Sequence, residues 1–138
     1  MRTPQPMLRL IALVGALAIA RPTFAHHSRD AFDMTKNVTY RGIVKEYRWQ
    51  NPHSHIVIVV GSDAKNSSTV GTWDIEASSV KLMTDMGWSK ATFKLGELIT
   101  VVAHPSKDGS HKILLFYVVK SNGTRLYRAT HRYPSEEE

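Results

Sequence analysis

The hydrophobic residues of this chain fall into short runs that predict β-strands and one helix. Alternating or β-branched positions, separated by polar loops, predict five strands at residues 38–49, 55–60, 71–76, 98–103 and 112–119. Between the third and fourth strands, Val80, Met83 and Met86 recur every three positions and predict a short helix. Ser78 or Ser79 stands where a residue is needed to cap that helix.

The first predicted strand changes the face on which its apolar residues lie. Tyr40 lies on one face, whereas Ile43, Tyr47 and Trp49 lie on the other. A flat strand keeps one apolar face, so this change predicts a long, coiled strand with a bulge at Gly42. Such a strand serves two sheets of a small barrel in succession.

The order of these elements indicates a mainly β fold. Five strands, the first long and coiled, with one short helix between strands three and four, match a small five-stranded OB-like Greek-key barrel. A turn at Asn122-Gly123 leads into a short segment around Leu126, so we expect the barrel domain at residues 38–128. A small β-sandwich or an open α+β sheet is the alternative.

The first 25 residues have the pattern of a secretory signal peptide. Arg2 and Arg9 precede an apolar stretch at residues 10–20, which is short for a membrane span, and small residues lead to Ala25. We therefore expect a Sec-type signal peptide that is cleaved between Ala25 and His26, with no stable membrane insertion afterwards. A retained N-terminal anchor is the alternative.

Two polar segments flank the predicted barrel. Residues 26–37 contain Phe32 and Met34 as their only sizeable apolar groups, so we expect an irregular leader that lies on the domain surface. Residues 129–138 end in three glutamates, and we expect them to form a disordered acidic tail.

Composition and charge change this picture at two points. Of the 138 residues, 42% are hydrophobic and 22% are charged, as in an ordinary globular domain, and the formal charge is +6. Cleavage removes three arginines and no acidic residue, so the charge falls to +3, and no nucleic-acid partner is expected. The absence of cysteine excludes disulfides, thiolate zinc sites and iron–sulfur clusters.

Histidine is the candidate ligand type, because the sequence has seven histidines and no thiol. Cleavage gives His26 a free α-amine, which can chelate Cu(II) together with its own ring nitrogen. His53 and His55 are two positions apart at a strand start, so both side chains project to one face and can reach one metal ion. The expected metal ligands are therefore His26, His53 and His55, and copper is the expected cofactor.

Two imidazoles are too few for tight metal binding, so a third ligand must come from elsewhere in the chain. The weaker candidates are His27, His104 and His111. Structural roles are the alternative: Asn51 and His53 organise a turn, His55 caps the strand, and the N-terminal histidines are simply solvated.

Catalytic motifs are missing from the sequence. It has no phosphate-binding glycine loop, no Gly-x-Ser-x-Gly elbow, no His-Glu-x-x-His helix and no dinucleotide fingerprint. Asp74 and Glu76 share a strand face, where pairing with Arg41 or Lys45 is the expected role. These features favour a binding protein over an enzyme, with hydrolase or redox chemistry as the remaining option.

Several short motifs occur together in this chain: His26-His27-Ser28, Trp49-x-Asn51-Pro52-His53, Trp73-x-x-Glu76 and Gly87-Trp88. Together they resemble a family of small exported bacterial proteins, domain of unknown function 6152. The resemblance implies a periplasmic location and supplies no activity. It also draws the two histidine groups into one pattern.

These observations lead to two expectations about function. The first is an exported periplasmic binding protein that binds Cu(II) through an N-terminal histidine and the strand-start pair. The second is a metal-free OB-like module that binds a periplasmic partner protein or a small ligand through its barrel face or an exposed strand edge.

Overall fold

The computed structural model describes residues 28–129, which form a six-stranded sheet and one short helix. The strands are β1 (Val38–Arg48), β2 (His55–Val60), β3 (Gly71–Glu76), β4 (Leu98–Pro105), β5 (Lys112–Lys120) and β6 (Arg125–Tyr127), and the helix is α1 (Val80–Asp85). Single 3-10 turns lie at Ser28–Ala31 and Ser67–Thr69. Ser79 is the N-cap of α1, and β4 runs two residues beyond its predicted end. Residues 28–129 contain no helix with the length and hydropathy of a membrane span.

Five of the strands close into a barrel. Neighbouring strands follow the order β3-β2-β1-β4-β5-β6, and β3 also pairs with β5. The β3–β5 pairing is parallel and sets Asp74 beside Lys112 and Glu76 beside Leu114. The five strands close into a barrel, and the one short helix, α1, connects β3 to β4. The prediction of a mainly β, OB-like barrel with one short helix is therefore confirmed.

The long first strand serves both halves of the barrel. Residues 38–43 pair with β4 and residues 43–48 pair with β2, as predicted for a coiled strand. Gly42 lies next to this crossover, where a Cβ atom would stand 2.7 Å from the carbonyl oxygen of Val59. The close approach of two backbones therefore requires glycine at this position.

The bulge in β1 lies nearer to the end of the strand than predicted. The register against β2 shifts between Val44 and Glu46, so the prediction of a bulge at Gly42 is wrong. Because side chains alternate with a period of two, the extra residue reverses which positions of the following segment face inward. Val44, before the bulge, keeps the inward face of Tyr40, whereas Ile43 is 42% exposed and does not share the inward face that Tyr47 takes after the bulge.

One apolar core fills the barrel and includes residues from all of its five strands. Its two tryptophans, Trp73 and Trp88, are buried, and each has a partner for its ring N–H. Trp73 donates to the Thr69 carbonyl at 2.7 Å, and Trp88 donates to the Tyr127 carbonyl at 2.8 Å. These bonds satisfy the polar atoms of the largest core side chains.

The leader docks along the end of β4. The Asp33 amide donates to the Pro105 carbonyl, and the Lys107 amide donates to the Ala31 carbonyl, each at 2.9 Å. Phe32, between these bonds, is only 4% exposed. The described part of the leader therefore has a 3-10 turn at Ser28–Ala31 and buries one aromatic ring against the barrel. The expected signal peptide and all but the first residue of the expected acidic tail lie outside the described residues.

Candidate metal centre

The paired histidines lie at one end of the β2–β3 hairpin, on the outside of the barrel. Ser54 and Ile56 are fully buried, so the alternating positions His53 and His55 face outward, with side chains 39% and 24% exposed. The Ser54 amide donates to the Ser78 carbonyl at 2.9 Å and anchors this segment. The two imidazoles share one face, as their spacing predicts.

Each of these histidines contacts a carboxylate on β3. Nδ1 of His55 lies 2.8 Å from Oδ1 of Asp74, and Nδ1 of His53 lies 2.8 Å from Oε1 of Glu76. The strand register sets these partners, since Glu76 is directly opposite His55 and Asp74 is its diagonal neighbour. Two histidine–carboxylate pairs therefore stand side by side.

The contact with Asp74 orients the ring of His55. A carboxylate can only accept, so Nδ1 donates and Nε2 keeps the lone pair in the neutral imidazole. Carboxylates hold metal-binding histidines in this way. The His53 pair is less well aligned: Oε1 of Glu76 is buried and, among the described residues, has no hydrogen-bond partner with good geometry despite its short distance from Nδ1.

Arg48 shares Asp74 with His55. Its Nη2 atom lies 3.0 Å from Oδ2 of Asp74, while the other oxygen of that carboxylate contacts the imidazole. The expected pairing of Asp74 with Arg41 or Lys45 is therefore corrected to a pairing with Arg48. The reason is the register after the bulge, which places Arg48 directly opposite His55.

Negative charge exceeds positive charge around the histidines. Glu46 adds a third carboxylate, with Oε1 3.4 Å from Nε of Arg48. Arg48 contacts Glu46 and Asp74, and Lys112 lies beside Asp74 in the β3–β5 register, so two cations face three carboxylates and neutral imidazoles leave one negative charge in excess. An excess of this kind attracts a cation.

The other described histidines lie apart from this pair. His104 is 8% exposed, and its Nδ1 donates to the Lys36 carbonyl at 2.9 Å. His111 stacks on Trp73 with ring centroids 4.2 Å apart, near the opposite end of β3. Within residues 28–129, no group of three His, Asp or Glu side chains is arranged to hold a metal ion. The remaining candidates, which lie outside the described residues, are His26 and His27.

Sequence reasoning misses the carboxylate partners of the histidines. The signal that predicts them is the antiparallel pairing of β2 with β3, which brings the start of one strand against the end of the other. His53 and His55 occupy that start, and Asp74 and Glu76 occupy that end with the same spacing of two. Matching the two spacings identifies both pairs.

The histidine pair and most of the barrel lie within a range that matches a known family model, and the last five residues of β5 lie beyond it. Residues 14–115 match the model of a family of unknown function, DUF6152, which confirms the resemblance found in the sequence. No curated protein matches the chain. The matched range includes both histidine–carboxylate pairs.

Proposed function

The chain belongs to the DUF6152 family, whose description names no activity, and we propose that it is an exported, periplasmic binding protein for Cu(II). Nε2 of His53 and Nε2 of His55 bind the metal, and the α-amine and ring of His26 complete the site. Export is part of the proposal, because cleavage after Ala25 creates that amine. The observation that carries the proposal is the pair of outward imidazoles, each with Nδ1 beside a carboxylate.

The surroundings of the pair favour a divalent cation over a neutral ligand. A bound cation would balance the excess negative charge and the buried Oε1 atom of Glu76. The carboxylates behind the rings also lie against Nδ1, which leaves Nε2 of each ring to face a metal ion. Charge and ligand orientation therefore support the same occupant.

The ligand types favour Cu(II) among the common metals. Imidazole nitrogens and an amine suit Cu(II), which binds most tightly in the divalent series. The sequence has no cysteine, so no thiolate selects Cu(I) or zinc instead. The thioether of Met83 is fully buried in the core and is out of reach for Cu(I).

The position of the leader determines which imidazoles His26 can join. The described part of the leader docks beside β4, and Arg29 lines a cavity together with His104. Three residues of extended chain span about 10 Å, so His104 is a second imidazole within reach of His26. The experiment must therefore separate His104 from the pair on β2.

A Cu(II) titration of the processed chain tests the proposal. The protein must begin at His26, because an additional residue would remove the amine ligand. We expect one site by calorimetry and nitrogen coupling in the electron paramagnetic resonance spectrum. Loss of both imidazoles in the His53→Ala, His55→Ala double variant should weaken binding by at least about tenfold, as should His26→Ala.

Two further variants act as controls for this titration. His111→Ala also removes an imidazole but lies away from the pair, so its affinity should equal that of the unsubstituted protein. If His104→Ala weakens Cu(II) binding and the double variant does not, the metal site lies at β4, which would contradict the assignment to His53 and His55 on β2. An affinity no better than that of the unfolded chain would contradict copper binding altogether.

A metal-free binding module is the competing function, and one observation favours it. Ile43 and Val59 are 42% and 37% exposed and face each other across the β1–β2 pairing. They lie on the outer barrel surface, part of which OB barrels use for ligands. Photo-crosslinking from position 43 in the exporting cell tests this function: a crosslink that persists with a chelator and disappears in Val59→Asp supports the module.

A further inference from the structure

We propose that the first part of β1 binds an extended, acidic peptide segment of another protein, which adds to the sheet as a further strand. Residues 38–42 pair with β4 on one side only, since the pairing of β1 with β2 begins at Ile43. The other edge of these residues faces a groove between β1 and the loop that connects β2 to β3. The groove shares no described residue with the histidine–carboxylate pairs, so it is separate from the proposed copper site.

The backbone groups of Thr39 and Arg41 point to the open edge. Further along the strand, the Val44 amide donates to the Glu97 carbonyl at 2.8 Å, next to β4. Successive residues of an antiparallel strand direct their backbone groups to alternate edges, so Tyr40 shares the β4 edge with Val44, whereas Thr39 and Arg41 face away. Within the part of the chain that the structure describes, neither of these two residues has another backbone hydrogen bond. Their N–H donors and carbonyl acceptors are therefore available to a peptide.

The groove is large enough for a short extended peptide. Its volume is about 610 Å³, and ligand pockets usually measure roughly 300–1,000 Å³. Residues of β1 and Thr100 of β4 line one side, and Asp63, Lys65 and Thr69 line the other. The open positions at residues 38–42 match a segment of about five residues, which pairs through main-chain hydrogen bonds.

Positive charge on both sides of the groove favours an acidic segment. Arg41 is exposed on β1 and Lys65 is exposed on the loop, and neither has an ion-pair partner among the described residues. Asp63 is the one carboxylate among the described lining residues, and it lies against Gly61 of its own loop. A carboxylate of the bound segment that points to the outer face can therefore pair with Arg41 and Lys65.

The same features disfavour two other occupants. A small anion would pair with the cations but would leave the backbone groups of Thr39 and Arg41 without partners. A second copy of this edge would bring like charges together, and natural proteins use such charges to keep sheet edges from pairing with one another. An extended acidic peptide satisfies the backbone and the charges together.

The test uses the full processed chain, kept metal-free with a chelator so that the result is independent of copper binding. The probe is a capped heptapeptide of alternating glutamate and valine. In the free protein, the Tyr40 amide pairs with β4 and should be protected from hydrogen exchange, whereas the Thr39 and Arg41 amides should exchange rapidly. We expect saturating peptide to slow the exchange of Thr39 and Arg41 at least about tenfold, as measured by NMR.

Modified peptides separate backbone pairing from charge. A peptide with glutamine in place of glutamate should bind at least about tenfold more weakly, because it lacks the charge that Arg41 and Lys65 pair with. Methylation of every second backbone nitrogen removes the donors along one edge of the peptide only. One of the two alternate methylated peptides should therefore lose binding, and the other should bind nearly as well as the parent peptide.

Variants of the protein assign the charge effect to residues. Arg41→Gln should weaken binding of the acidic peptide by about tenfold, and Lys65→Gln should weaken it several-fold. Lys45→Gln is the matched control, because it removes an exposed charge from the same strand outside the groove and should change nothing. If Arg41→Gln fails to fold, the two methylated peptides with the unsubstituted protein still decide the question.

Several outcomes would overturn this site. Rapid exchange of Thr39 and Arg41 at millimolar peptide would exclude strand addition, as would equal affinity of the two methylated peptides. Equal binding of the glutamate and glutamine peptides would exclude a role for the cations. Protection of the same amides without peptide would assign the edge to another occupant. That occupant is a second copy if the protection rises with protein concentration, or the glutamates at 136–138 if it is lost in a chain that ends at Ala129.

Discussion

At the scale of single residues, Asp74 links two side chains of the candidate metal centre. Its two oxygens have different partners, the imidazole of His55 and the guanidinium of Arg48. The carboxylate therefore orients the ring and at the same time neutralises a neighbouring cation. Because Asp74 is itself held by Arg48, the His55 ring that it orients loses little freedom when a metal binds.

Replacement of Asp74 tests this role without removing a proposed ligand. Asp74→Asn keeps the size of the side chain but removes its charge, and the amide can donate to Nδ1 and so reverse the tautomer of His55. We expect the Cu(II) affinity to fall by about tenfold to a hundredfold in calorimetry. Asp85→Asn, which breaks an exposed pair with Lys81, is the matched control and should bind normally.

Gly42 offers a second test at the residue scale, because its neighbour is backbone. In Gly42→Ala the new Cβ would stand 2.7 Å from the Val59 carbonyl oxygen, so the two strands must separate. We expect a loss of about 1–3 kcal/mol in the free energy of unfolding, measured with urea.

Gly61→Ala is the control for this substitution. Its Cβ would lie 2.6 Å from a side-chain oxygen of Asp63, which can rotate away, so little stability should be lost. Equal losses in the two variants would contradict the steric role of Gly42.

At the scale of elements, the leader is joined to the barrel through a few contacts at the end of β4. Phe32 is buried there but lies outside the cluster of residues that fills the barrel. Its hydrogen-bonded neighbours, Asp33 and Ala31, connect to the loop after β4. The leader is therefore able to open without unfolding the barrel.

Phe32→Ala should release the leader selectively. Loss of the ring removes the buried apolar surface of this segment, so the amides of Asp33 and Lys107 should exchange faster, while Val101 keeps its protection. Amide exchange followed by NMR measures the difference. Met34→Ala truncates a side chain that is 37% exposed and serves as the control. Equal deprotection of Val101 would show that the leader and barrel unfold together.

Acid should open the junction between the leader and the end of β4. A hydrogen bond from the Thr35 side chain, with help from Lys36, holds the pKa of Asp33 at about 2, and the Ser106 and Ser110 hydroxyls hold the pKa of Asp108 at about 2. Because both values lie below the usual pKa of about 4, these carboxylates stabilise the folded junction above pH 4 and lose that effect as the pH falls to about 2.

Amide exchange of Asp33 and Lys107, corrected for intrinsic rates, measures this acid opening. We expect these amides to be protected at pH 5 and to lose protection progressively between pH 4 and 2. That interval runs from the usual carboxyl pKa of about 4 down to the pKa of about 2 that each group has in the folded protein. The double variant Asp33→Asn, Asp108→Asn should be less protected at pH 5 and nearly independent of pH. An unchanged acid response in that variant would assign the effect to other groups.

The elements that the sequence predicts correctly are those whose signal is local. The β-branched run of β2 and the alternation of β3 reproduce the observed bounds, and Ser79 caps α1 as expected. The predicted bulge in β1 is misplaced, because Ile43 and Val44 are adjacent apolar residues and alternation alone does not show which of the two faces inward. The histidine–carboxylate pairs and the docked leader depend on contacts between distant segments, which no local pattern records.

At the scale of the whole molecule, closure of the barrel makes a single cooperative unit. The parallel β3–β5 pairing joins the two halves, and the core contains residues from every barrel strand. Most contacts are thus between segments far apart in sequence, a topology that folds slowly but unfolds as one unit.

Cooperative unfolding is a prediction for the whole chain. Trp73 and Trp88 lie in the core, so tryptophan fluorescence reports packing, and far-ultraviolet circular dichroism reports the strands. The two signals should follow the same urea curve with one midpoint. A fluorescence transition at lower urea would show that the core loosens before the sheet.

The docking of the leader on β4 also has a consequence for the order in which the segments can fold. Synthesis and export both begin at the N-terminus, so Ala31 and Asp33 appear about 70 residues before Pro105 and Lys107. Phe32 therefore stays without its binding site until nearly all of the barrel has been made. The first part of the described chain to be synthesised is among the last to be put in place, and its apolar ring is available to a chaperone in the meantime.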